Sequence, residues 1–470
     1  MKQLKKFSFL LLAVLFISIS FAGFISDSNA QTLSDKKITE YKKVARQFVR
    51  KALEDRKGYY LLKELTDIGP RLSGSENSIK AIHWAKQKME SLGFDKVWLQ
   101  PVMVPHWERG NIEKANIVSS KKYKGRKLVI RALGGSIATG ENGIQGKILS
   151  VKSFDELRAN KDQAKGKIVF FDRSLDQGLY SGGYGGVWNY RVYGPDSAAK
   201  YGAIGLLLRS ITTKYDNNPH TGVTFYGDKV KRIPAVAVGY LDSDFLRMAL
   251  IEDPNLEVNF KLNCKWFPDA QSYNVIGEIK GSKYPDEIII VGGHIDSWDL
   301  GVGANDDGAG CIQSMEVLDL FKRLKIKPQR TIRCVLFINE ENGSRGAIVY
   351  SAFADSSHQK TIAAMESDAG SGSPRAFSID SDSLTIAKIK TWLPILNQTG
   401  ILQVRKGGSG ADVGHIKSAK ARIGYSPEGQ RYFDYHHSDN DQFSIIHPRE
   451  FELGSAAMAT LIYMIDREGL

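Results

Sequence analysis

Six side chains of the 470-residue chain have the makings of a metal site: His294, Asp306, Glu340, Glu341, Asp368 and His437. Imidazole nitrogens and carboxylate oxygens are the donors zinc takes, and harder cations share the carboxylates. Taken singly, none of the six is specific. A lone histidine in a loop is more often hydrogen-bonded than ligated, and Asp306 with Asp307 reads equally well as a helix cap, where partial positive charge favours carboxylates without any ion. Their joint placement is the informative part.

The elements that must hold these residues follow from hydrophobic periodicity. Residues 287–291 (Glu-Ile-Ile-Ile-Val) form a short β-branched run, the pattern of a strand buried on both faces, and stop at a Gly pair just before His294. Residues 307–324 carry Cys311, Met315, Leu318 and Phe321 at helical spacing. Residues 330–338 form a second buried strand that delivers Glu340 and Glu341, and residues 361–365 a third that delivers Asp368. In open α/β sheets the carboxyl ends of strands are where loops build ligand sites. A helix at 384–396, a Gly-rich loop at 407–410, a strand near 421–425, the polar loop His436 to Asp441 and a helix over 448–466 complete this half. The predicted fold is α/β, a mixed, largely parallel sheet flanked by helices.

The first half has a different texture. Residues 32–65 are helical, 77–92 form a Ser-capped helix and 96–103 a strand, whereas 125–267 break into short strands and turns with an aromatic, Gly-rich loop at 178–194. Strands at 115–118 and 273–277 flank that stretch and read as strands of the first domain. The chain is therefore divided into 31–124 and 268–470 as two parts of one domain, with 125–267 as a β-rich insertion.

Ahead of these lies a basic start (Lys2, Lys5, Lys6), an uncharged apolar run from Phe7 to Phe24, and Ser28-Asn29-Ala30 before Gln31. This is the pattern of a signal peptide over residues 1–30, the alternative being an uncleaved anchor. Export to a periplasmic or extracellular location follows, with no stable membrane insertion after cleavage. Formal charge is +12, but lysine and arginine alternate with acids and no basic block is interleaved with aromatics, which speaks against nucleic-acid binding. Cys264, Cys311 and Cys334 are odd in number and widely spaced, so no disulfide framework is expected.

The strings "GGHIDSWDLGVGANDDGAG", "NEENGSRGA", "MESDAG" and "YHHSDND", with "IGPRLSGS" near the front, strongly resemble the co-catalytic di-zinc metallopeptidases of the bacterial leucyl aminopeptidase and carboxypeptidase Q family. The likeness covers nearly the whole mature chain. Residues 166–208 ("GKIV", "AAKYGA", "IGLLL") also resemble a protease-associated domain. The family resemblance implies a zinc-exopeptidase-like fold and two zinc ions per chain, with His294 and Asp368 on one, Glu341 and His437 on the other, and Asp306 bridging. It makes Glu340 the general base and Asp296 the acid that orients the His294 imidazole. The residues alone leave open which of His436 and His437 ligates; the family spacing to Asp441 selects His437. His436, His415 and His447 are read as structural, and Asp412 in "GSGAD" as a pocket or substrate-terminus contact. Gln442 stands where the family has Thr, and Trp298 and Asp299 could form a pocket wall or simply pack.

What the resemblance implies is an exported peptidase that hydrolyses dipeptides or short peptides with a free N-terminus, through attack by a water shared between the metals, and that forms a homodimer. A general aminopeptidase acting on longer peptides is the alternative enzyme. A receptor-like protein that has lost its metals is the alternative class, and the complete ligand set weighs against it.

Overall fold

The structure is a computed structural model that describes residues 33–176, 178 and 180–470. The signal peptide expected over residues 1–30 lies outside the described residues. Eight strands form the first sheet, in the order Lys96–Glu108, Lys265–Ile279, Arg330–Phe337, Tyr284–His294, Lys360–Glu366, Ala421–Pro427, Pro374–Asp380 and Gln403–Lys406. The three central strands Arg330–Phe337, Tyr284–His294 and Lys360–Glu366 run parallel. The outer pair Lys96–Glu108 and Lys265–Ile279 is antiparallel, so the sheet is mixed, as predicted.

Alternation along the central strand explains why it is buried on both faces. Ile288 and Ile290 meet Phe337, Ala347 and Tyr350 under the helix Arg345–Ser356. Ile289 and Val291 face the opposite cluster, which holds the helices Asp35–Asp55, Ala309–Arg323 and Pro448–Glu468. Each fully buried side chain of this kind contributes about 1.5–3 kcal/mol, so this strand end is anchored where His294 emerges.

Several boundaries differ from the periodicity, each for a tertiary reason. The helical run 32–65 breaks at Arg56, which takes a left-handed φ of 49° and separates Asp35–Asp55 from Lys57–Thr66. The first-turn N–H groups of the second helix are claimed by buried carboxylates: Gly58 N donates to Glu316 (3.3 Å) and Tyr59 N to Glu452 (2.9 Å). The helix read from residue 307 begins instead at Ala309, after a wide turn Ala304–Gly308 in which Asp306 (φ −127°, ψ 93°) and Asp307 (φ −124°, ψ 38°) are non-helical. The run 384–396 splits into Ser383–Lys390 and Leu393–Leu396, because Pro394 has no N–H to continue the ladder. The stretch 178–194, expected as loop, contains a 3-10 turn at Tyr180–Gly186 and a short helix at Trp188–Val192.

A second eight-stranded sheet is built from residues between Glu113 and Leu262. The strand Glu113–Ser119, read from the pattern at 115–118 as a strand of the first domain, pairs there with Glu257–Leu262 and Lys127–Leu128. Its alternating burial suits either sheet, so sequence alone could not assign it. The chain leaves the first sheet at Glu108 and returns at Lys265, which are register partners. Among the described residues all three cysteines are buried and free, and no helix is long and apolar enough to cross a membrane.

Candidate metal centre

His294 is the last residue of its strand, and its imidazole points across the carboxyl edge of the sheet. Nε2 lies 3.4 Å from Asp306 Oδ1 and 3.5 Å from Asp368 Oδ1. Asp368 arrives two residues past the adjacent parallel strand. On the other side His437 Nε2 lies 3.0 Å from Glu341 Oε2 and 3.4 Å from Asp306 Oδ2. The two oxygens of Asp306 thus serve two different donor sets. Donors bound to one tetrahedral zinc at about 2.0–2.1 Å are separated by roughly 3.3–3.4 Å, close to the 3.0–3.5 Å between these atoms.

The surroundings fix each of these groups. His294 Nδ1 is 3.0 Å from the backbone carbonyl of Asp296, which can only accept, so Nδ1 carries the hydrogen and Nε2 faces the centre. The Asp296 carboxylate, expected to orient this ring, stands 3.9 Å from it and instead accepts from the backbone N–H of Asn339 (2.8 Å), Glu340 (3.2 Å) and Glu341 (3.4 Å). It pins the turn that delivers the Glu pair, with Asn339 left-handed at φ 71°. Asp441 accepts from Asn305 N (2.7 Å) and Asp306 N (3.0 Å) and so sets the backbone of the shared carboxylate. Asp307 turns away to accept from His294 N and Gly310 N, both at 3.0 Å, which ties the strand end to the first turn of the helix, whose N-cap is Gly308. Gly310 allows this: a Cβ there would lie 1.8 Å from the Ser367 carbonyl.

Charge in the site is unbalanced. Burial, then the Asp306 charge, pushes Glu341 well above the usual carboxylate range. Burial together with Asp368, Asp296 and Asp306 pushes Glu340 up to about 8. For His294, burial opposes protonation but Asp306 and Asp368 overcome it and raise its pKa well above the ordinary value. His437 is driven well below it by burial, His436 and Arg191. Asp306 Oδ2 and Glu341 Oε1 are buried without a hydrogen-bond partner. An excess of buried acid with orphaned oxygens is what divalent cations would offset, so the residues fit a metal centre.

Residues from the second sheet's connections complete the site, and sequence reasoning did not find them. The Thr221 carbonyl lies 3.3 Å from His437 Nδ1, and Thr221 N donates to the His437 carbonyl (2.8 Å). Arg191 reaches within 3.4 Å of the same Nδ1 and donates to the Tyr184 hydroxyl at 2.8 Å. A backbone carbonyl leaves no sequence signal, and Arg191 lies about 250 positions from its histidine. His436, read as structural, stacks on His437 (centroids 3.5 Å apart) with Nε2 3.8 Å from Asp306 Oδ2, and so borders the same donor set. His447 caps the final helix. Trp298 is buried 5.7 Å from the His437 ring, and Asp299 pairs with Arg109 at 2.6 Å, so both pack. Asp412 is fully buried and its N–H donates to Glu366, a group not singled out from sequence; its carboxylate does not reach the cavity wall. That cavity, about 520 Å³, opens beside Asp368 and is walled by Tyr184, Tyr432 and Phe433.

Comparison with known proteins identifies the family of the chain. Residues 274–462 match the model of peptidase family M28. The chain is 35% identical to carboxypeptidase Q of Homo sapiens over 411 residues, covering 87% of this chain and 85% of that protein. A peptidase M28 precursor from Shewanella amazonensis SB2B superposes with a TM-score of 0.88 at 34% identity, covering 92% of this chain and 98% of that one. A zinc aminopeptidase from Bacillus subtilis shares the fold at a TM-score of 0.62 and 20% identity, covering 88% and 95%.

Proposed function

Because the chain belongs to peptidase family M28, we propose that it is an exported di-zinc exopeptidase acting on dipeptides or short peptides with a free N-terminus. The observation that carries this reading is the division of the Asp306 oxygens, Oδ1 toward His294 and Oδ2 toward His437. One carboxylate set between two donor groups could be shared by two divalent cations. Imidazole with carboxylate suits zinc among the available divalent metals. His294 and Asp368 would hold one ion, Glu341 and His437 the other. When bound, the ions would supply Lewis acidity, lowering the pKa of water and polarising the scissile carbonyl.

The chain's own residues do the rest. Glu340 accepts a proton from the attacking water and returns it to the leaving amine. Its neighbour Glu341 lies against His437, and Asp296 holds the backbone of both through its contacts to three consecutive N–H groups. The Asp296 and Thr221 carbonyls keep each histidine's Nε2 toward the centre. The excursion between Glu108 and Lys265 is the protease-associated-like insertion in this reading, and it supplies Tyr184, Arg191 and Thr221 to the site.

The test is metal content of the purified protein with hydrolysis of a dipeptide, an N-blocked dipeptide and a pentapeptide, before and after chelation. Two zinc ions per chain and chelator-sensitive cleavage of the free dipeptide alone are expected. Pentapeptide cleavage would instead favour a general aminopeptidase, and no metal with no activity a binding protein. Glu340→Gln is expected to keep its metal and lose about a hundredfold or more in turnover; near-normal turnover would remove Glu340 from the base role.

A further inference from the structure

The cavity that begins at Asp368 has a chemically different far wall. Arg375 in the strand Pro374–Asp380 and Arg405 in the parallel neighbour Gln403–Lys406 both line it. Arginines near the first sheet usually have an acid: Arg422 pairs with Asp380 and Arg333 with Glu278, each at 2.7 Å. Arg375 and Arg405 do not. Among the described residues Arg375 donates to the Pro374 carbonyl (2.9 Å) and Arg405 to the Ser426 hydroxyl (3.4 Å), and neither forms an ion pair with a carboxylate. Two acids share the cavity. Asp368 is engaged with His294 at 3.5 Å, and Glu428 accepts from Gln430 N at 2.7 Å.

A cavity of about 520 Å³ is lined by Asp368, just past the strand Lys360–Glu366, and by Arg375 and Arg405, two and three strands away in the sheet order, so it is polarised for a short ligand with a positive and a negative terminus. The planar fork of arginine matches a carboxylate in two-point contact. The geometry points to Arg375 and Arg405 as the residues that bind the C-terminal carboxylate of a dipeptide whose scissile bond lies at Asp368 and its partners. This inference rests on the exopeptidase reading and gives it a substrate class. A longer peptide presents a neutral amide where the dipeptide presents its carboxylate, and leaves both cations without a partner.

The experiment compares the zinc-loaded protein on a panel of neutral dipeptides that includes Ala-Leu, and on the C-terminal amide of whichever is cleaved fastest. The free acid is expected to be preferred by about tenfold or more in kcat/KM, carried mainly by KM, the scale of one charge-assisted contact. In the double variant Arg375→Met, Arg405→Met that preference falls toward unity, and in Arg375→Lys, Arg405→Lys, which keeps charge but loses the fork, it is partly retained. Equal cleavage of acid and amide by the unaltered protein, or a preference undiminished in the methionine variant, overturns the carboxylate site alone. Cleavage of neither substrate overturns the peptidase reading and this inference with it.

Discussion

At the scale of single residues, the acid that organises the centre without facing it is Asp296. Its carboxylate is fully buried and holds three consecutive N–H groups of the turn that carries Glu340 and Glu341. Hydrogen bonds to a charged acceptor are worth about 1.5–3 kcal/mol each, and about 1.4 kcal/mol is tenfold in rate. Asp296→Ala is expected to lower turnover at least tenfold and to weaken metal retention, with Asp296→Asn intermediate because its amide oxygen still accepts. Metal analysis beside kcat at saturating zinc checks this, and an alanine variant with ordinary values for both would refute it. The residues gathered at the centre were legible because His294, Glu341 and Asp368 each close or follow a buried apolar run, whereas the choice of His437 over His436 rests on the family spacing to Asp441. Thr221 was not legible, since it contributes a carbonyl that any residue possesses. Asp296 was legible as a participant but not in its contact, because one residue offers both a carboxylate and a carbonyl.

At the scale of elements, the loop between the central strand and the helix Ala309–Arg323 depends on one buried cation. Arg71 Nε donates to the Ile295 carbonyl (2.9 Å), Nη1 to Val302 (2.6 Å) and Nη2 to Gly303 (2.9 Å). Arg71→Met would leave three carbonyls without that donor in a buried place. At about 1–3 kcal/mol for each unpaired group, a loss of roughly 3 kcal/mol or more in unfolding free energy is expected. A denaturant titration reads this, with Arg71→Lys, which cannot span three carbonyls, lying between; a methionine variant as stable as the parent would contradict it. The motif "IGPRLSGS" was visible in the sequence, but not that its arginine serves a loop more than two hundred residues away. Helix ends were readable where the cap is local, as with Ser75 before Glu76–Ser91, and unreadable at Arg56, where carboxylates from two other helices decide the break.

At the scale of the whole molecule, those same carboxylates couple stability to pH. Glu316 and Glu452 meet in the core between three helices, with Arg323 donating to Glu316 at 2.8 Å. Burial, reinforced by the Glu316 charge, pushes Glu452 up to about 10 from an ordinary 4.5. The folded chain therefore keeps a proton that the unfolded chain releases. This contribution to stability is complete below the unfolded value and is lost as pH rises toward the folded one. Melting temperature of the zinc-loaded protein should fall between about pH 5 and 9, and Glu452→Gln should flatten the decline; parallel curves for parent and variant would exclude the pair as its source. The mixed α/β class was legible from buried strands alternating with helices. The membership of Glu113–Ser119 in the second sheet was not, because alternation reports burial on one face and not the identity of the partner.

The double contact between Thr221 and His437 also orders events in time. A growing chain that has emerged through Asp368 already carries four of the five proposed donors, yet it lacks His437, and Thr221 has nothing to close upon. The centre is therefore among the last features to mature, and its completion reports that distant stretches of the chain have found each other.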